Sequence, residues 1–235
     1  MNRFLESLVN ADVPLIMEVK RRTAEGADLL GDRTVSAMIE QYVAAGAPCI
    51  SVVTGRWFGG DDEMLREAAA TTDLPLLKKD FIIREAQIEQ ATRMGADAVL
   101  LTAKILPTAS FKKLIPTILR HGLLPFVEIT DHEELESVVQ PQDCIIAVNN
   151  KDIKTQERDR GDIDVSRSLL EAVIATGTPC PVSASAITDP RTAAELVSSG
   201  FKGLLVGTGL LKAPSVQDWV SEFERHRAAT AEAGA

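Results

Sequence analysis

The chain has 235 residues, 45% of them hydrophobic and 25% charged, with 34 acidic against 25 basic side chains and a net charge of −9. That composition is enough for one sizeable core and has no run near the ~20 apolar residues a membrane span requires. The acidic balance argues against nucleic acid and anionic membrane surfaces as partners, so an anionic small molecule would have to be met by a local basic pocket.

The first ten residues, MNRFLESLVN, lack an apolar core followed by a small-residue cleavage site. They read as a helix or extension within residues 1–12, not a secretory signal, and the expected compartment is the cytoplasm. Short apolar runs then alternate with longer amphipathic stretches. The runs are PLIMEVK (14–20), CISVVT (49–54), LPLLKKDF (74–81), AVLLTAKI (98–105), LLPFVEI (123–129), CIIAVNN (144–150), CPVSASAI (180–187) and GLLVGTG (203–209). Near-continuous apolar character over so few residues marks strands buried on both faces. Between them TVSAMIEQYVAAG, REAQIEQATRMG, DPRTAAELVSSG and SVQDWVSEFERH carry helical patterns, several stopped by Gly before the next strand. Cys49, Cys144 and Cys180 each open an apolar run or stand at its start, and none forms a CxxC pair. Small buried thiols in a reducing compartment are expected. The closing AATAEAGA (228–235) reads as a frayed tail.

AAGAPCISVV, RMGADAVLLT and SSGFKGLLVG repeat one pattern of small residues, Gly, a short turn and a branched apolar run. Repeated βα units build a parallel sheet with right-handed crossovers. Eight units without a linker predict a single α/β domain over 1–235, a (β/α)8 TIM barrel. A doubly wound open sheet is the alternative, and no GxGxxG follows the first strand to support its dinucleotide-binding form.

In such a barrel the active site lies where the strands end. The polar residues there are Glu18 and Lys20 on strand 1, Lys79 and Asp80 on strand 3, Lys104 on strand 4 and Glu128 on strand 5. Strand 6 adds Asn149, Asn150 and Lys151, strand 7 adds Ser183 and Ser185, and strand 8 ends in Gly207, Thr208 and Gly209. Partly desolvated lysines and glutamates side by side suit general acid and base work. His121, His132 and His226 all fall in helical or loop segments. Strand ends therefore supply neither a histidine-rich metal site nor a Ser/His/Asp triad. VGTG after strand 8, with Lys20 opposite, reads as a phosphate cradle of the type found after the last strands of such barrels.

These segments resemble the indole-3-glycerol-phosphate synthase family over about residues 12 to 215. The resemblance is carried by IMEVKRRT, SVVTGRWFGG, LPLLKKDFII, ADAVLLTAKIL, FVEITDHEEL, IIAVNNKDIKT and LLVGTGLLKAPS. It implies a phosphate-binding barrel lyase of tryptophan biosynthesis that closes an indole ring, with loss of carbon dioxide and water, on a carboxyphenylamino-deoxyribulose phosphate. No metal or organic cofactor is implied, and the partner is a phosphorylated small molecule. Carried over residue by residue, the general acid falls on Lys79 and the general base on Glu128. Glu18 and Lys20 match the strand 1 pair that binds substrate and tunes the lysines, and Asn149 matches a hydrogen-bonding asparagine. Phe58 matches an aromatic residue beside the substrate, while Lys151, Ser185, Gly207 and Thr208 fall on substrate- and phosphate-binding positions.

The chain also departs from the family's pattern. Glu-Ser-Gly on strand 7 becomes Ala184, Ser185, Ala186, and Asn-Arg-Asp on strand 6 has Lys151 for the arginine, which loses a bidentate fork. Ser-Pro after strand 1 becomes Thr23-Ala24, Gly-Ser on strand 8 becomes Gly207-Thr208, and only 17 residues precede Glu18. Three readings follow: an ordinary synthase that has drifted, a paralogue retuned for a related aminodeoxyribulose phosphate, or a barrel that binds a sugar phosphate without turning it over.

Overall fold

The structure, a computed structural model, describes residues 2–152 and 160–233. Residues 153–155, the end of the IIAVNNKDIKT segment, lie outside the described residues. Eight parallel strands form one closed barrel in chain order. They are β1 (Leu15–Val19), β2 (Cys49–Val53), β3 (Leu76–Lys79), β4 (Ala98–Thr102), β5 (Leu124–Ile129), β6 (Ile145–Asn149), β7 (Cys180–Ala184) and β8 (Gly203–Val206). The barrel closes where β1 meets β8, Met17 standing opposite Val206.

Among the described residues the helices are α1 (Arg3–Val9), α2 (Val35–Ala44), α3 (Asp62–Thr71), α4 (Glu85–Arg93), α5 (Thr108–Arg120), α6 (His132–Glu136), α7 (Ile163–Ala175), α8 (Pro190–Ser199), α9 (Thr208–Lys212) and α10 (Val216–Ala233). Side-chain oxygens start several of them: Thr34 accepts from the Ala37 amide, Asp61 from Met64 and Asp189 from Thr192, with Pro190 following as the first helical residue.

Strand alternation divides the apolar residues into two layers. Ile16, Cys49, Leu77, Leu100, Phe126, Ala147, Val182 and Leu205 fill the barrel interior. Met17, Val52, Leu101, Val127, Val148 and Val206 belong to the outer layer, packed with the helices. The interior cluster also takes in Phe4, Leu5 and Leu8, so α1 closes the end of the barrel where the strands begin. Gly203 makes room for it: a Cβ there would lie 3.0 Å from Leu8. Burying each of these large side chains is worth about 1.5–3 kcal/mol, which ties the chain's first helix to the fold.

Three expectations are corrected. The seventh strand stops at Ala184 instead of running to Ile187, because Ser185 and Ala186 take left-handed backbone (φ 68° and 59°) that no strand accommodates. Lys104 is not on a strand but in a 3-10 turn, Ala103–Ile105. The stretch expected to fray is helical as far as Ala233. Its alanines and glutamate favour helix intrinsically, and Arg227 anchors its start by donating to the Asp12 carbonyl.

Candidate active site at the C-terminal end of the barrel

Period-two alternation also decides which polar residues reach the barrel interior. Counting on from the interior residues Ile16, Leu77, Leu100, Phe126 and Ala147 gives Glu18, Lys79, Thr102, Glu128 and Asn149, each at or next to its strand's end. All five are buried. Lys78, on the opposite parity, is also buried, but its ammonium lies 2.5 Å from Asp62 on α3. Of the two adjacent lysines, one joins the site and the other staples a helix to the sheet.

Glu18 is the electrostatic hub. Its Oε1 is 3.1 Å from Lys20 Nζ and its Oε2 is 3.6 Å from Lys79 Nζ, while Ser51 Oγ donates to Oε2 at 3.4 Å. Burial alone would push the Glu18 carboxyl up, but the ammonium groups of Lys79 and Lys20 outweigh it and hold the carboxyl below its ordinary range. Lys20 Nζ also lies 5.6 Å from the centre of the Phe58 ring, a cation–π contact. Across the barrel, Asn149 Nδ2 donates to Glu128 Oε1, and Asn149 Oδ1 accepts from the Lys151 amide at 3.0 Å. That amide donor fixes which way the asparagine faces, and the asparagine in turn orients the carboxylate.

The opening has two parts. An apolar slot is lined by Val53, Trp57, Phe58, Phe81, Leu100 and Thr102, with Lys79, Asp80 and Glu128 also in its wall. The Trp57 and Phe81 rings stack at an angle, 4.4 Å between centres, although they come from the loops after β2 and β3. Asp80 is held at the rim by Thr54 Oγ1, 2.9 Å away. The second part is a cationic chamber where, among the described residues, Lys20, Lys79, Lys151, Arg160 and Lys212 face Glu18 and Glu25. Five cations against two carboxylates, in a chain of net charge −9, make a local anion site. Lys79 and Phe58 line both parts.

Each residue to which the family resemblance gives a catalytic or binding role lies in or beside these two spaces. Glu18, Lys20, Phe58, Lys79, Lys151, Ser185, Gly207 and Thr208 line the cationic chamber, Glu128 lines the slot, and Asn149 holds Glu128. Lys104 does not join them: its ammonium is 2.8 Å from both Asp131 and Glu134 on the outer rim. Trp57, Phe81, Thr102, Arg160 and Lys212 line the site without having been assigned a role. Trp57 and Thr102 were within reach, the first as Phe58's neighbour and the second by strand parity; Arg160 and Lys212 carry no local signal. Asn150, just past the end of β6, serves the loop after β7. Its side-chain amide donates to Ser183 Oγ, the Ala184 carbonyl and the Ser185 carbonyl, each at 3.0 Å, and its carbonyl accepts from the Ser166 amide. It thereby pins the left-handed turn after β7 to β6 and α7.

Comparison with known proteins adds to this geometry. The family model described as indole-3-glycerol phosphate synthase matches residues 1–223. The chain belongs to the indole-3-glycerol phosphate synthase family. Relatives of that name include one from Lachnospira eligens, 33% identical over 94% of this chain and 82% of its own length. Another, from Bacteroides thetaiotaomicron, is 33% identical over 92% of this chain and 82% of its own length. A third, from Bacillus cereus, is 33% identical over 88% and 81%. Among solved structures, 3-hexulose-6-phosphate synthase from Salmonella typhimurium superposes with a TM-score of 0.67 over 92% of this chain and 98% of its own, at 14% identity. That likeness speaks to the barrel fold alone. No described helix is long and apolar enough to cross a membrane.

Against the pattern of the indole-3-glycerol phosphate synthase family, the departures are not scattered. Thr23, Ala24, Lys151, Ala186 and Thr208 all line the cationic chamber. Ala184 is buried in the interior cluster, in register with Asn149 and Leu205.

Proposed function

We propose that this chain is an indole-3-glycerol phosphate synthase, a lyase acting on 1-(2-carboxyphenylamino)-1-deoxyribulose 5-phosphate. The aryl ring lies in the slot walled by Trp57, Phe58, Phe81 and Leu100, and the phosphate lies in the cationic chamber near Lys20, Ser185, Gly207 and Thr208. Lys79 carries the assignment, because a single buried ammonium lines both spaces and so stands where an aryl group and a sugar phosphate join.

Chemistry follows from that position. The ring carbon bearing the carboxylate attacks the ketone carbon, and Lys79 gives a proton to the oxygen as it gains charge. The carboxylate leaves as carbon dioxide and its bonding electrons restore the aromatic ring. Lys79, reprotonated from solvent, then gives a proton to the new hydroxyl, which leaves as water while Glu128 takes a proton from the neighbouring carbon, forming the second double bond of the indole. Glu18 holds Lys79 in place from 3.6 Å, and Asn149 aims Glu128.

The test is to mix purified protein with the substrate and follow indole fluorescence. Growth of the indole signal, abolished in Lys79→Met, supports the assignment. A flat trace from folded protein overturns it, and retained stabilisation by the substrate would then favour a barrel that binds a sugar phosphate without turning it over.

A further inference from the structure

Thr102 is 2% exposed, lines the slot and sits on the interior parity of β4, in register with Glu128. Its hydroxyl has no hydrogen-bond partner among the described residues. A buried hydroxyl left without a partner destabilises a fold, and most native ones are satisfied. The slot it lines has an apolar wall of Val53, Trp57, Phe58, Phe81 and Leu100 and charged groups at Lys79, Asp80 and Glu128; against that apolar wall an aliphatic side chain would suit a plain phenyl ring. We infer that Thr102 is a specificity-determining residue whose hydroxyl meets a hydrogen-bonding substituent, a hydroxyl or an amino group, on the aryl ring of the substrate.

This inference rests on the synthase chemistry proposed above and moves its preferred substrate from the plain ring to a substituted one. The substrate class becomes a ring-substituted arylamino-deoxyribulose phosphate, and the second reading raised by the sequence, a retuned paralogue, gains a physical basis. A threonine hydroxyl both donates and accepts, so it can serve either substituent. Sites built to hydrogen-bond a substrate group reject the analogue lacking it, because their own polar group is then stranded. The carboxylate is the competing partner for the hydroxyl, but it is common to plain and substituted substrates and cannot produce a preference between them.

The experiment compares kcat/KM for the plain 2-carboxyphenylamino substrate with analogues hydroxylated at each open ring position in turn, in the wild type and in Thr102→Val. The wild type should favour one hydroxylated analogue by about tenfold or more, and Thr102→Val should reverse that order. The melting temperature of ligand-free Thr102→Val should rise, since the valine strands no polar atom. Equal use of all substrates by the wild type, an equal loss on every substrate in the variant, or a fall in melting temperature would each overturn the inference while leaving the synthase assignment standing. No turnover of any substrate would overturn both.

Discussion

The Cβ that Gly207 lacks would lie 2.4 Å from Glu18 Oε1. β1 and β8 are neighbours, and the carboxylate that binds Lys20 and Lys79 fits only because the residue at the start of α9 has no side chain. Gly207→Ala should therefore push Glu18 off both lysines. We expect about 1–3 kcal/mol of destabilisation, the usual range for overpacking, and at least a tenfold loss of kcat/KM in protein whose circular dichroism still reports a folded barrel. Unchanged kinetics would mean that Glu18 does not position the lysines.

Acid should reveal Glu18 as well. Its folded carboxyl titrates below the ordinary 4.5, so between the two values the unfolded chain binds more protons than the native one and stability rises with pH. The contribution is complete above about pH 4.5 and is lost as the pH falls through the folded value. Urea unfolding at stepped pH should show the wild type losing stability more steeply than Glu18→Gln across that window. At neutral pH the glutamine variant should be less stable by roughly 3 kcal/mol, because buried Lys79 and half-buried Lys20 lose the carboxylate that lies between them.

The adjacent lysines offer an internal control. Lys79→Met and Glu128→Gln should each lower kcat by about 100-fold or more, as loss of a general acid or base does. Lys78→Met should instead lower the melting temperature by freeing α3 from β3, since its ammonium is bound to Asp62 and takes no part in either chamber. Steady-state rates for the three variants, each checked for folding, would separate the roles. Comparable rate losses at both lysines would contradict the parity assignment.

Ala186 holds a left-handed backbone at φ 59°, where a Cβ is strained, next to Ser185 at φ 68°. Ala186→Gly should relieve about 1 kcal/mol and raise the melting temperature by about 2–4 °C. A drop would show that the methyl group packs well enough to repay its strain.

Much of this site was legible in the chain because strand alternation is a local property. Once the eight apolar runs are placed, period two carries Glu18, Lys79, Glu128 and Asn149 to the interior without any coordinates, and it sends Lys78 outward. Alternation breaks down where a strand ends early. AVLLTAKI reads as one run, but the turn at Ala103–Ile105 breaks the alternation and hands Lys104 to Asp131 and Glu134. CPVSASAI fails in the same way, because the left-handed pair after β7 is held by Asn150 from another strand.

The sequence by itself determined the barrel and which polar side chains close its interior, since burial on both faces and alternation are written into each short apolar run. Only the tertiary structure decided what those residues face. The stacking of Trp57 on Phe81, the seat that Gly207 leaves for Glu18, the cations gathered from separate loops and the unmet hydroxyl of Thr102 all join segments distant in the chain. Such contacts depend on strand register and loop geometry, which no local pattern encodes.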